Sequence, residues 1–252
     1  MSITKLMGYD DDNNMGNSRF FGVTVGIVTD IEDPEKLGRI KVKLLNRDTS
    51  EYETDFIRIV TPMTGKQWGM FFFPEIGDEV LVAFSDGEVV RPYVIGSLWN
   101  QNYKPPVEIK DKKNTIRKIK TKNGHEIIFK DEDDKDSIEI KTPKLLTISL
   151  EDEKEVIKIK DKSGKNLVQI DSKNGIVNVT AEKKIVIKSG NSTMKLDGNG
   201  NSVSIESSQS LKLKSQQISI EAKSMLDIKA SSNINIKSDG PLNLKGAVIK
   251  AN

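Results

Sequence analysis

The sequence predicts an all-β protein in two parts, a small antiparallel barrel followed by a narrow β-helical needle. Three observations carry that expectation. Between Phe20 and Asn100 short alternating runs separated by turn residues replace any helical period. All fourteen aromatic residues (8 Phe, 4 Tyr, 2 Trp) lie at or before Phe129, so the second half lacks the side chains that supply much of the buried area in ordinary cores. Past Ser137, pairs of aliphatic residues at i and i+2 return at short intervals, the mark of a β-solenoid.

Residues 1–19 are polar and rich in Asp, Asn and Gly, which predicts an arm that orders against a partner. Residues 20–103 form the barrel. Phe21-Gly-Val-Thr-Val-Gly-Ile-Val-Thr alternates, as does Arg39-Ile-Lys-Val-Lys-Leu after the turn Asp33-Pro34…Leu37-Gly38. Glu79-Val-Leu-Val-Ala-Phe is an apolar run, Asp86-Gly87 a hairpin signal, and Pro92-Tyr-Val-Ile-Gly closes the unit. About five strands in about eighty residues predict an OB-type barrel. Residues 104–136 read as a connector.

Residues 137–252 carry the repeat. The pairs begin at Ile138, Ile148, Ile157, Val168, Ile176, Ile185, Met194, Val203, Leu211, Ile218, Leu226, Ile234 and Leu242, with Ile249 a last single. The spacing runs at roughly nine to eleven residues and then settles at roughly eight, two residues of each unit facing inward on a strand. The expected core positions are Ile185, Ile187, Met194, Leu196, Val203, Ile205, Leu211, Leu213, Ile218, Ile220, Leu226, Ile228, Ile234, Ile236, Leu242 and Leu244. A one-chain solenoid and an intertwined three-chain triangular prism both accommodate the repeat. Two aliphatics per strand suit the thin interior of the prism better, and about fourteen layers at roughly 4.7 Å give a length on the order of 65 Å.

Composition excludes several functions. With 39 basic and 37 acidic residues the net charge is +2, without the basic excess of a nucleic-acid binder. There is no cysteine for a disulfide or a thiolate metal site. The start, MSITKLMGYDDDNN, holds no apolar run of signal-peptide length and no segment is long enough to span a membrane, so synthesis and assembly in the cytoplasm are expected. His125 is the single histidine and stands without a nucleophile motif, which favours a surface role over catalysis. The run Asp131-Glu-Asp-Asp-Lys-Asp reads as a solvated turn, and Asp197-Gly-Asn-Gly-Asn-Ser, occurring once, as a corner. Gly65-Lys66 lacks the rest of a phosphate loop. Phe71-Phe72-Phe73 reads as core or interface, and the lysines past Thr180 as an outward face that guards strand edges. No catalytic residue, metal or cofactor is expected.

The order Asp33-Pro34, Leu37-Gly-Arg-Ile-Lys-Val, Trp68-Gly69, Phe73-Pro-Glu-Ile-Gly-Asp-Glu-Val-Leu-Val-Ala-Phe and Pro92-Tyr-Val-Ile-Gly-Ser-Leu resembles the OB domain of the VgrG and phage baseplate assembly protein V family. Asn123-Gly-His-Glu-Ile-Ile-Phe is similar to that family's entry into its needle. The resemblance implies a homotrimeric, non-enzymatic spike of a phage tail or R-type bacteriocin that pierces an envelope when a sheath contracts, its contact with that envelope transient. It also implies a separate hub protein at the N-terminal end. A PAAR-like tip protein is expected on Val248, Ile249, Lys250, Ala251 and Asn252, beside Leu242 and Leu244. A type VI-like spike without its own hub, a monomeric carbohydrate-binding β-helix and a single-strand nucleic-acid binder are the competing readings.

Overall fold

The computed structural model describes residues 22–45 and 52–250. The arm expected over 1–19, with Ala251 and Asn252, lies outside the described residues. Two compact units divide the chain, Met1–Val179 and Thr180–Asn252.

The first unit opens with a barrel of β1 (Val23–Asp30), β2 (Arg39–Leu44), β3 (Tyr52–Glu53), β4 (Ile57–Ile59), β5 (Thr64–Gly65), β6 (Trp68–Gly69), β7 (Glu79–Phe84) and β8 (Pro92–Ser97). The order β1-β7-β8-β4-β2 is closed by pairing of β1 with β2, β3 lies on β2, and β5 with β6 forms a separate hairpin. This is the five-strand barrel expected from the alternation. Both β2 and β7 bury every second residue, and Val28, Ile40, Val42, Val80, Val82 and Val94 fill the interior. Gly26 sits at the seam, where a Cβ would lie 2.3 Å from Val42 Cγ1, so only glycine lets β1 approach β2 this closely.

The turn Asp33-Pro34…Leu37-Gly38 between β1 and β2 is tied together by Asp33 and Arg39. The buried Asp33 carboxylate accepts the N–H groups of Glu35 (3.1 Å), Leu37 (2.9 Å) and Arg39 (3.3 Å), and Arg39 donates through Nε at 2.9 Å and Nη2 at 2.7 Å. Arg39 chiefly, with those N–H groups adding, holds the carboxyl well below the usual range against the opposing effect of burial. Asp86-Gly87 lies in the 3₁₀ turn between β7 and β8, both residues at positive φ (52° and 76°).

The same unit continues into a seven-stranded antiparallel meander: β9 (Ile116–Lys120), β10 (Glu126–Lys130), β11 (Ser137–Lys141), β12 (Thr147–Glu151), β13 (Val156–Lys160), β14 (Leu167–Asp171) and β15 (Ile176–Thr180). Its first two strands fall within the stretch read as connector. The connections are short reversals in which Leu145 (φ 61°) and Glu155 (φ 52°) donate their N–H to the carbonyls of Thr142 and Asp152. Such turns send the chain straight back beside itself, so each strand here pairs with its sequence neighbour. In β15 the i, i+2 aliphatics are Val177 and Val179, one residue later than the pair expected to start at Ile176.

The second unit holds β16 (Lys184–Ser189), β17 (Ser192–Asp197) and β18 (Ser202–Glu206), again antiparallel. Between 207 and 250 no strand is formed.

Candidate assembly surface

Strand alternation and in-line pairing together build two faces on the meander. One carries a continuous row Ile119–Ile127–Ile140–Ile148–Ile159–Val168, and beside it Arg117–Phe129–Ile138–Leu150–Ile157–Ile170. Directly opposed residues on adjacent strands touch, so these rows form one apolar surface about 25 Å along the ladder. Its aliphatic and aromatic members remain 37% to 51% exposed. The uncovered area is on the order of 800 Å² per chain, about what one partner contributes to a standard stable interface.

The opposite face is charged yet better covered. Glu126 accepts Lys118 at 3.4 Å and Lys120 at 3.2 Å, Glu139 pairs with Lys130 at 3.4 Å and with Lys141, and Glu151 pairs with Lys158 at 2.9 Å and Lys154 at 3.0 Å. Ile128, Ser149 and Val156 lie buried among them, as the aliphatic stems of lysine can achieve. Lys158 draws the Glu151 carboxyl down to about 2, burial opposing and Lys154 adding. Glu126 is lowered chiefly by Lys120. For Glu139 burial pushes upward, but Lys141 and Lys130 together outweigh it. The glutamates of this face are neutralised within their own chain.

The structure brings six of the expected core residues together. Ile185, Leu196 and Val203 form one row of the three-stranded sheet, and Ile187, Met194 and Ile205 the next. Leu211, Leu213, Ile218, Ile220, Leu226, Ile228, Ile234, Ile236, Leu242 and Leu244 are all more than half exposed, as are Val248 and Ile249. In each of the five pairs from Leu211 to Leu244 the second member is the more open, for example 53% and 66% at Ile218 and Ile220. The local geometry therefore repeats, without in-chain strand pairing.

Sequence reasoning missed the part of the apolar surface that precedes Ile138. The signal was present in Ile127 and Phe129, two residues apart, but two strands were too few to show a repeat. His125 is exposed in the turn before β10, its N–H donated to Thr121 Oγ1. Phe73 packs on the barrel core, Phe71 stacks on it at 5.2 Å, and Phe71 and Phe72 are 80% and 64% exposed. No group of metal-ligating residues occurs among the described residues, and none of their helices is long and apolar enough to cross a membrane.

Residues 24–99 match the family described as the type VI secretion system/phage-baseplate injector OB domain. The type VI secretion system spike protein VgrG2a of Pseudomonas aeruginosa is 33% identical over 91 residues, 35% of this chain and 11% of that protein. VgrG1a of the same organism is 32% identical over 78 residues, 30% of this chain and 12% of the relative. The actin cross-linking toxin VgrG1 of Vibrio cholerae is 27% identical over 108 residues, 40% of this chain and 10% of the relative. The match thus spans about a tenth of each relative's length. Through this barrel the chain is related to the phage baseplate V and VgrG-like spike proteins.

Proposed function

We propose that this protein, whose barrel is that of an injector, is the central spike of a contractile injection particle, a homotrimer that pierces a target envelope when a sheath contracts. The observation that carries the reading is the continuous apolar face of β9–β14, which no described residue covers. Three copies turned toward a common axis bury three such faces against one another and leave the ion-paired faces in water. From residue 207 onward the octads then exchange hydrogen bonds between chains, completing a triangular prism with no lateral edge. Such a body transmits force along its length and performs no chemistry.

The particle is a phage tail or an R-type bacteriocin, assembled in the cytoplasm and working outside it. A hub protein meets the barrel end and a PAAR-like protein seats on Val248 and Ile249. The similarity to type VI secretion spike proteins favours, as a second reading, a spike of that system. Sedimentation velocity on the full chain tests the assembly: one species near 84 kDa, three times the 28.1 kDa chain, is expected at every accessible dilution. A stable folded monomer overturns the reading. Sheath and tube genes beside this one would identify the particle.

A further inference from the structure

We propose that Arg117 fixes how copies of this chain meet, letting their apolar faces join only parallel and in register. The proposal rests on the spike reading above. The need for such a residue comes from the uniformity of the face. Its first row repeats isoleucine on five consecutive strands, from Ile119 to Ile159, and its second is aliphatic from Ile138 to Ile170. Hydrophobic attraction is non-directional and follows the area covered. A copy displaced by two strands, about 9.5 Å at the spacing of paired strands, keeps its strand direction and still overlaps four of the six strands β9–β14. The aliphatic side chains alone therefore set no level.

Arg117 breaks that uniformity. Of the twelve positions in the two rows it is the one that carries a charge. It stands opposite Phe129 on β9, the terminal strand of the sheet. Its guanidinium is held within the chain, where Nη1 donates to the Asn114 carbonyl at 3.2 Å and to the Asp131 carboxylate. Asp131 follows β10 directly and donates its own N–H to the Thr115 carbonyl at 2.8 Å, so the pair is anchored on both strands. At the end of the face the two side chains are 56% and 55% exposed, and water reaches both.

Displacement takes that water away. Whichever copy slides by two strands, the Arg117 of one of them moves from the end of the face to the level of Ile138. Reversing one copy sets Arg117 against the β14 end of its neighbour, beside Val168 and Ile170. In either case a hydrated guanidinium is pressed against aliphatic side chains, and its desolvation opposes the association. With copies parallel and in register, the three Arg117–Asp131 pairs share the end level and no aliphatic row meets a charge. One polar residue in a repeating apolar seam sets register in this way, by penalising every alternative.

The test uses the full chain, after sedimentation has established its oligomeric state. There is no native cysteine, so nitroxide labels go only where cysteines are introduced. Differently tagged chains carrying Lys135→Cys or Lys173→Cys are co-expressed, and mixed trimers are isolated through both tags. Both positions are exposed turn residues, and they lie four strands apart on the ladder. Pulsed dipolar spectroscopy reads the distances between the two sites, and trimers of each single variant supply the like-to-like distances to subtract. The otherwise wild-type chain, Arg117→Lys and Asp131→Asn are expected to give one narrow set of distances. Arg117→Leu and Arg117→Gln are expected to add components displaced along the axis by about 9.5 Å. Asp131→Asn separates charge from pairing, because a pair that only stitches β9 to β10 is lost equally from either side. A trimer in which both charge-removing variants keep the wild-type distances overturns the proposal and leaves the spike reading intact. So does one in which Asp131→Asn disperses them as far as Arg117→Leu, or in which the wild-type chain already shows the added components. A wild-type monomer overturns both.

Discussion

Ile148→Asp separates a covered apolar face from an exposed one. Ile148 lies between Ile140 and Ile159 in the central row of the meander and is 39% exposed in the single chain. If the face is open to water, the carboxylate stays hydrated and the cost is a strand preference, at most about 1 kcal/mol. If three faces meet, about 70 Å² of apolar burial is lost at roughly 25 cal/mol per Å², close to 2 kcal/mol per chain. A carboxylate is then also desolvated without a partner, adding several kcal/mol. The two cases therefore differ by more than about 3 kcal/mol per chain. Gln169→Glu, opposite Lys158 on the charged face, is the control and is expected to shift stability by less than about 0.5 kcal/mol. Guanidinium unfolding followed by circular dichroism, with sedimentation at each protein concentration, reads both effects. A variant Ile148→Asp that keeps the wild-type sedimentation coefficient and loses no more than the control would falsify the covered face.

Acid should act through the glutamates of the charged face. Glu151 has an ordinary value of 4.5 and about 2 when folded, and Glu126 and Glu139 are also lowered. Their stabilisation is present above about 4.5 and is lost as pH falls toward 2. Urea midpoints should hold steady from pH 7 to 5 and then decline, and a midpoint that rises below pH 4.5 would contradict the ion-pair account. Gly26→Ala should cost about 1–3 kcal/mol by forcing β1 from Val42, measurable in the barrel's thermal unfolding; an unchanged midpoint would mean the seam relaxes freely. Ile236→Asp should dissociate or melt the distal segment, whereas Asn235→Ser leaves it within about 0.5 kcal/mol; equal tolerance in proteolysis assays would show the inward register to be wrong. Deleting residues 248–252 should abolish co-purification with a PAAR-like protein at one copy per three chains, and a surviving complex would place that partner elsewhere.

Much of the barrel could be read directly, because a strand with one face in a core writes that fact at every second residue. Ile40, Val42 and Leu44 alternate with Arg39, Lys41 and Lys43, and all three lie buried. Asp33-Pro34…Leu37-Gly38 read as a turn, but that the Asp33 carboxylate gathers Arg39 and three backbone N–H groups required the tertiary structure. In the second half, alternation told which residues share a face and not which strand lies beside which. Backbone hydrogen bonds are the same groups whatever the partner, so pairing is decided by the connections. The reversals at Leu145 and Glu155 use residues at positive φ with no glycine to announce them. For that reason the antiparallel meander and its start at Ile116 emerged only from the tertiary structure. The change from a spacing of nine to eleven residues to one of eight was visible in the sequence, and its consequence was not. The longer unit has room to turn back on itself, and the octads that follow form no strand pairing within their own chain. Sequence alone therefore determined the faces and the repeat. Turn geometry decided which strands the chain pairs for itself, and left the apolar rows and the octads exposed among the described residues.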